Sequence, residues 1–242
     1  MIKDEKYKHP QPEIGDFDFG FETAQVFDDM LLRSVPFYAE LQRMMAELVM
    51  DFAQAGTAIY DFGCSTGTTL QLIDSLPLPE DLHLVGIDSS EEMLIKAKKK
   101  LMDPPIQRRF SLRNENLEGP FGMDPTSVSL LCLTLQFVRP LFRERLLTTI
   151  AHHTIKGGCL ILVEKTLSQD PQLNRLFIHH YHHYKQRNGY SLLEIAQKRE
   201  ALENVLVPFS LEENQLLLTK AGFSRTELFF RWYNFCGLIA VK

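Results

Sequence analysis

The segment AIYDFGCSTGTTLQLIDSL, residues 58–76, decides the fold. Its first five residues are apolar except for one aspartate, which predicts a short buried strand. Gly63 and Gly67 then permit a tight turn, and apolar positions recur at helical spacing over 67–76. The segment therefore reads as a strand, a glycine turn and a helix, the opening of a β-α-β unit.

The same alternation continues along the chain and predicts the main elements of one sheet. A helix of about 15 residues from Phe37 precedes the first strand. Strands are predicted at 58–62, 82–88, 107–113, 127–133 and 159–164, and helices at 67–76, 90–102 and 140–155. This pattern is typical of a mostly parallel, doubly wound α/β sheet between two layers of helices.

The C-terminal third departs from simple alternation. A polar, His- and Arg-rich helical stretch at 169–206 is followed by a helix at 211–221 and strands at 226–232 and 235–241. Only two residues separate these last strands, so they are predicted to pair as an antiparallel hairpin. We expect residues 1–20 to form a loosely held arm and 21–242 a single domain, with 169–206 as a helical insert.

Composition and charge exclude several functions. The 242 residues carry 26 Lys and Arg against 31 Asp and Glu, a net charge of −5, so direct nucleic-acid binding is not expected. No apolar run approaches the ~20 residues of a membrane span, and the N-terminus lacks the features of a secretory signal. The four cysteines form no C-x-x-C pair, which favours reduced thiols. We expect a cytoplasmic protein without membrane contact.

The strand ends point to a nucleoside site. In an open α/β sheet the ligand lies beyond the carboxyl ends of the strands, where Gly63 and Gly67 are expected to let backbone N–H groups approach it. Asp88 ends the second strand, a position from which a carboxylate accepts ribose hydroxyls. The spacing G-x-x-x-G lacks the middle glycine of a dinucleotide loop. It favours S-adenosylmethionine over a dinucleotide or a purely structural turn.

An open sheet of this kind with a C-terminal antiparallel hairpin resembles class I S-adenosylmethionine-dependent methyltransferases. Within that class, the chain from about residue 14 onward resembles the carboxy-S-adenosyl-L-methionine synthases. The similar blocks are VFDDM (26–30), RSVP (33–36), YDFGCS (60–65), TLQF (134–137), NGY (188–190), EIAQKR (194–199), LENV (202–205) and AGF (221–223).

The resemblance implies an activity. Synthases of this family convert S-adenosyl-L-methionine and prephenate into carboxy-S-adenosyl-L-methionine and phenylpyruvate, and the product serves wobble-uridine modification of tRNA. It also implies a homodimer in which an arginine reaches across the interface, with the insert at 169–206 serving as a lid and dimer element.

The resemblance further assigns site residues. The nucleotide-binding positions are Tyr38, Gly63, Cys64, Ser65, Asp88, Ser89, Asn116, Leu117, Cys132 and Arg199. Arg199 is the expected catalytic residue, because a guanidinium forms a two-pronged contact with a carboxylate that a methyl group does not offer. Two positions depart from the family pattern: Cys132 stands where an asparagine is usual, and Asn116 where an aspartate is usual.

Alternative hypotheses stay open at this stage. An ordinary methyltransferase acting on a small acid would need no cation at the sulfonium methyl, and a non-catalytic S-adenosylmethionine-binding protein would share the glycine loop. A dinucleotide-dependent dehydrogenase is the most distant alternative.

Other side chains have competing interpretations. His179 and His183 share a helix face, but no nearby acid or cysteine completes a metal site, so we expect no metal. Lys185, Arg187 and Lys198 are secondary candidates for binding prephenate, with a solvated helix face as the favoured interpretation. Tyr190 either lines the prephenate pocket or simply follows a turn.

Overall fold

The computed structural model describes residues 2–242. Its helices are α1 (Phe21–Ser34), α2 (Tyr38–Phe52), α3 (Thr68–Asp74), α4 (Glu91–Met102), α5 (Pro140–His153), α6 (Pro171–Arg187), α7 (Leu192–Ala201) and α8 (Leu211–Ala221). Its strands are β1 (Ala58–Phe62), β2 (His83–Asp88), β3 (Arg109–Asn114), β4 (Thr126–Cys132), β5 (Thr154–Leu167), β6 (Phe209–Ser210), β7 (Arg225–Trp232) and β8 (Phe235–Val241). A short 3-10 turn, Leu135–Phe137, follows β4.

The sheet has the order β3-β2-β1-β4-β5-β8-β7, with the two-residue β6 pairing beside β5. Strands β1 to β5 are parallel, whereas β8 runs antiparallel to both β5 and β7. The prediction of a doubly wound, mostly parallel sheet with a C-terminal hairpin is thus confirmed. Strand order reverses between β1 and β4, so a crevice opens at their carboxyl ends.

Two apolar cores lie on opposite faces of the sheet because successive strand residues point to opposite sides. All five residues of β1 are buried. Ile59 packs in one core with Leu41 of α2, whereas Tyr60 packs in the other with Leu147 of α5 and Leu218 of α8. Helices cover both faces, which leaves the strand ends as the open edge. No helix within residues 2–242 has the length and apolar composition to cross a membrane.

The helical stretch at 169–206 consists of two helices, α6 and α7. They are separate because Gly189 adopts a left-handed φ of 85° and Ser191 starts α7 with a capping box to Glu194. Helix α1 was not predicted. Its N-terminus at Gly20 has no side-chain cap, so the sequence carries no start signal there.

The N-terminal segment, residues 2–20, was expected to be a loose arm, and this expectation is wrong. Asp4, Tyr7 and Phe17 are all buried. The Tyr190 hydroxyl donates to Asp4 Oδ2 at 2.6 Å, and the Phe17 N–H donates to the last carbonyl of α7 at 2.8 Å. The segment forms almost no regular structure, but its polar contacts tie it to the helical insert.

Candidate functional site

A cavity of about 710 Å³ opens at the carboxyl ends of β1, β2, β4 and β5. This volume falls within the range of small-molecule sites in proteins. The cavity is lined by all ten positions expected to bind the nucleotide: Tyr38, Gly63, Cys64, Ser65, Asp88, Ser89, Asn116, Leu117, Cys132 and Arg199. Residues from six separate parts of the chain therefore meet in one space. Four parts lie at the ends of strands β1 to β4, as a site at the carboxyl edge of the sheet requires, and the other two are Tyr38 of α2 and Arg199 of α7.

The glycine loop after β1 has a tight conformation. Gly63 and Gly67 have φ angles of 72° and 77°, and a Cβ on Gly63 would lie 2.4 Å from the Thr134 hydroxyl oxygen. Only glycine fits that approach without displacing Thr134.

The expected use of the loop N–H groups is corrected by the hydrogen bonds. The N–H groups of Gly63 and Cys64 donate to the Ile87 carbonyl at 2.7 and 3.0 Å, and that of Gly67 donates to the Cys64 carbonyl at 2.8 Å. The Ser65 N–H donates to Asp88 Oδ2. The first two donors and Ser65 hold the loop against β2, and the Gly67 N–H closes the turn. The loop therefore offers a ligand the second acceptor positions of its carbonyl oxygens and the oxygen of the Ser65 hydroxyl, whose O–H donates to the Gly63 carbonyl at 3.2 Å.

Asp88 is fixed by two backbone donors. The Ser65 N–H bonds to Oδ2 and the Ser90 N–H to Oδ1, both at 2.9 Å. Burial raises the pKa of Asp88 despite these hydrogen bonds. Each carboxylate oxygen keeps a second acceptor position, so the group can accept hydrogen bonds from a diol in a defined orientation.

Asp61 is a site residue that the sequence reasoning missed. It lies within β1, is 2% exposed, lines the cavity and has a buried Oδ2 without a hydrogen-bond partner among residues 2–242. Burial, together with the nearby charge of Asp88, raises the pKa of Asp61 to about 7. A buried carboxylate of this kind is stabilised by a cationic ligand. The sequence did contain a signal for this residue, because an aspartate inside a short, otherwise apolar strand is unusual unless it has a function.

Tyr38 and two cysteines form the wall near Asp61. The Tyr38 oxygen accepts from Gln42 Nε2 at 3.1 Å, which leaves its O–H available as a donor to the cavity. Burial raises the pKa of both Cys64 and Cys132, and neighbouring carboxylates add to this effect. Both groups are therefore neutral thiols, poorly suited to nucleophilic attack.

The opposite wall follows β2 and β3. Leu117 is 9% exposed and gives this wall an apolar surface, while Ser89 and Asn116 are exposed at its rim. Asn116 Oδ1 accepts the Glu118 N–H at 2.8 Å, so its amide is held in one orientation. An apolar face beside a fixed amide suits a planar base that carries polar edge groups.

The end of the cavity beside β5 is basic. It is lined by Lys165, His182, Lys185, Lys198 and Arg199. Burial lowers the pKa of Lys165 and of Lys198 to about 8 and that of Lys185 well below its usual value. Burial and the adjacent cations lower the pKa of His182 to about 4, so this ring is neutral. The solvated-face interpretation is wrong for Lys185 and Lys198, which are 7% and 8% exposed. Lys165 and His182 were missed.

Arg199 and the remaining candidates differ in placement. Arg199 lines the cavity but is exposed, and its side chain has no hydrogen bond or ion pair within residues 2–242. Arg187 is exposed, as a solvated face predicts. Tyr190 lies outside the cavity lining and bonds to Asp4, so the turn interpretation is favoured.

The histidine-rich part of α6 brings His179 and His183 together, with ring centroids 4.1 Å apart. Across residues 2–242, no group of three or more His, Cys, Asp or Glu side chains is arranged to hold a metal ion.

Comparisons with known proteins agree with this geometry. A family model described as a methyltransferase domain matches residues 59–158. A putative S-adenosyl-L-methionine-dependent methyltransferase of Methanococcus maripaludis superposes with a TM-score of 0.61 at 17% identity, covering 96% of this chain and 97% of that one. Human N-acetylserotonin methyltransferase, solved in complex with S-adenosylmethionine, superposes with a TM-score of 0.60 at 15% identity. The match covers 92% of this chain and 55% of that one. The fold and cavity define a class I methyltransferase-like protein.

Sequence relatives narrow the class. A carboxy-S-adenosyl-L-methionine synthase of Methylococcus capsulatus is 52% identical over 242 residues, and the match covers the full length of both chains. One of Desulfotalea psychrophila is 45% identical over 240 residues, 99% of this chain and 97% of the other. The chain belongs to the carboxy-S-adenosyl-L-methionine synthase family, a family of enzymes.

Proposed function

We propose that this enzyme converts S-adenosyl-L-methionine and prephenate into carboxy-S-adenosyl-L-methionine and phenylpyruvate. The general activity follows from the family, and the identity of the second substrate is the proposal. One observation carries it: a single cavity joins an acidic end, with Asp61 and Asp88, to an end with several cations and no acidic counterpart for Lys165 or Lys185 among residues 2–242. A cationic nucleoside and a dianionic acid fit these two ends.

The proposed reaction balances without an external reagent. Prephenate, a dianion, loses carbon dioxide and hydroxide as its ring becomes aromatic, which leaves phenylpyruvate as a monoanion. The hydroxide removes a proton from the sulfonium methyl group and becomes water. The resulting carbanion forms a bond to the carbon of the released carbon dioxide. The protein must hold both substrates close together and keep bulk water from intercepting either fragment.

We propose the following roles at the nucleoside end. Asp88 accepts the ribose hydroxyls, while Asn116 and Leu117 contact the adenine, with Ser89 at the rim of that pocket. The Gly63–Cys64–Ser65 carbonyls and Asp61 accept from the amino group of the methionine part, and the Tyr38 hydroxyl donates to its carboxylate. The unpartnered Asp61 oxygen supports this arrangement, because it needs a buried cation.

At the junction of the two ends we propose that Arg199 pairs with the carboxylate that forms on the sulfonium methyl carbon. Its guanidinium has no ion-pair partner within residues 2–242, so it is available to a ligand. Cys132 lines the same cavity and replaces an amide by a weakly bonding thiol. We infer that Cys132 weakens ligand binding without preventing it.

We also propose that the enzyme is a homodimer in which the insert, α6 and α7, covers the site and contacts the second copy. Leu192 and Leu193 of α7 are 68% and 38% exposed, and Leu173 and Leu176 of α6 are both 45% exposed. Apolar side chains exposed beside a catalytic cavity are typical of a partner surface. Leu192→Asp should convert a dimer into monomers in light scattering, whereas Leu216→Asp, at an exposed position of α8, should not.

The cellular setting is part of the proposal. All four cysteines are free thiols, which suits a reducing cytoplasm. The carboxylated product would serve wobble-uridine modification of tRNA as a diffusible donor. A net charge of −5 supports a protein that does not itself bind the nucleic acid.

Mass spectrometry tests the proposed reaction. Purified protein is incubated with S-adenosyl-L-methionine and prephenate, and the nucleotide pool is examined for a species heavier by one carboxylate together with phenylpyruvate. Prephenate labelled with carbon-13 in the ring carboxylate should transfer the label to the nucleotide. Omitting prephenate is the control. If a protein that binds the nucleotide forms neither product, the proposed function is wrong.

A further inference from the structure

Two lysines meet on one aromatic ring at the basic end of the cavity. Tyr181 and Lys185 lie one helical turn apart on α6, and Lys165 reaches the same ring from β5. The ammonium nitrogens are 4.8 Å (Lys165) and 4.7 Å (Lys185) from the centroid of the Tyr181 ring. Tyr181 and Lys185 are 8% and 7% exposed, and all three side chains line the cavity.

Neither lysine has a counterion in the described chain. No Asp or Glu within residues 2–242 forms an ion pair with Lys165 or Lys185, and neither ammonium group donates a hydrogen bond there. Lys198 differs, because its ammonium group lies 3.7 Å from Asp4 Oδ2. Contact with the aromatic face compensates the two charges only in part. Holding both ammonium charges without counterions is therefore unfavourable in the ligand-free fold, which is why the pKa of each lysine is lowered, and a bound anion favours their protonated forms.

The surroundings make the electrostatic field more positive. Lys198, Arg199 and the neutral ring of His182 line the same end of the cavity. Repulsion by Lys165, Lys198 and Arg199 adds to burial in lowering the pKa of Lys185. The fold thus concentrates positive charge here, and among residues 2–242 the only ion pair made by these cations is that of Lys198 with Asp4. An anionic ligand removes this repulsion on binding.

We propose that Lys165 and Lys185, both held against the Tyr181 ring, form the subsite that binds the two carboxylates of a dicarboxylate substrate. The inference rests on the proposed function for the identity of that substrate, prephenate. Two cations match a dianion, whereas the aromatic monoanion left after loss of carbon dioxide and hydroxide satisfies only one of them. The subsite therefore binds substrate more tightly than product and favours product release.

Substitution by methionine tests this subsite, because methionine keeps an unbranched stem and removes the charge. Lys165→Met and Lys185→Met should each raise the KM for prephenate by about 30-fold or more, as expected when one partner of a buried charge pair is removed. The dissociation constant for S-adenosyl-L-methionine should stay unchanged. Lys185→Arg should recover much of the prephenate affinity, and Lys220→Met, at an exposed position of α8, is the matched control.

Thermal unfolding separates ligand binding from a structural role. Removing an unpaired buried charge should leave the melting temperature of the free protein unchanged or raise it. A lower melting temperature together with weaker binding of both substrates would overturn the proposal, because the lysines would then stabilise the fold rather than bind prephenate. Wild-type KM values for prephenate in both methionine variants would overturn it as well.

The test also distinguishes failure of the subsite from failure of the proposed function. Calorimetric titration with prephenate, and with phenylpyruvate as the monoanionic probe, measures binding independently of turnover. If the wild type binds prephenate through these lysines but forms no carboxylated nucleotide, the proposed function is wrong and the subsite stands. If the wild type turns over and the lysine variants bind prephenate normally, the function stands and the subsite is wrong.

Discussion

Replacing Asp61 by asparagine should stabilise the free protein while weakening nucleotide binding. Asp61 is 2% exposed, its Oδ2 has no partner within residues 2–242, and burial raises its pKa to about 7. The difference from the usual value of an aspartate corresponds to roughly 4 kcal/mol of destabilisation once the group is charged. An unsatisfied buried amide offsets about 1–3 kcal/mol of this gain. The net stabilisation of Asp61→Asn at pH 8 is thus on the order of 1–3 kcal/mol.

The pH dependence of this effect has a definite sign. In the unfolded chain the aspartate loses its proton near pH 4, whereas in the fold it keeps the proton up to about pH 7. The unfolded state therefore binds fewer protons over this interval, and the wild type loses stability as the pH rises. Asp61→Asn lacks this titration. Its stability relative to wild type should rise by roughly 3 kcal/mol from pH 5 to pH 8.

Urea denaturation at several pH values measures the change in stability, and calorimetric titration measures the loss of nucleotide affinity. Asp61→Asn should bind S-adenosyl-L-methionine about 30-fold more weakly, or about 2 kcal/mol. Its affinity for methylthioadenosine, which lacks the amino acid part, should be unchanged. Asp88→Asn is the contrasting variant, because it disturbs two backbone hydrogen bonds and should lower stability and both affinities. A stability difference that does not vary with pH would refute the reasoning.

Four further substitutions in and around the site have defined expected outcomes. Arg199→Ala should weaken the binding of carboxy-S-adenosyl-L-methionine by about 1.5–3 kcal/mol in calorimetry and leave the binding of S-adenosyl-L-methionine unchanged. Equal losses of affinity for the two nucleotides would contradict the role of Arg199. Asp4→Asn removes the counterion of Lys198 and an acceptor of Tyr190, so the free energy of unfolding in urea should fall by about 3 kcal/mol. Adding Lys198→Met should recover much of that loss. Cys132→Asn supplies an amide to the cavity and should strengthen the binding of adenosyl ligands by about 1 kcal/mol in calorimetric titrations. Unchanged affinity would argue against a ligand contact at this position.

The parallel core of the sheet was predictable because its signals are local. Buried strands and amphipathic helices alternate from residue 58 onward, and only two residues join β7 and β8, which forces an antiparallel pair. Helix α1 escaped prediction because Gly20 provides no side-chain cap. The N-terminal segment was misjudged for a related reason: the burial of Asp4 depends on Tyr190, far along the chain.

By itself the sequence determined the fold class and the positions around the glycine loop, since residues at the ends of parallel strands must meet at one edge. Three features become visible only in the folded chain: the N–H groups at the start of the glycine loop are already bonded, Asp61 Oδ2 has no partner within residues 2–242, and Lys165 and Lys185 share the Tyr181 ring. Burial, counterions and pKa arise from contacts between distant segments. A lysine on a polar helix looks the same in sequence whether it faces solvent or a closed cavity.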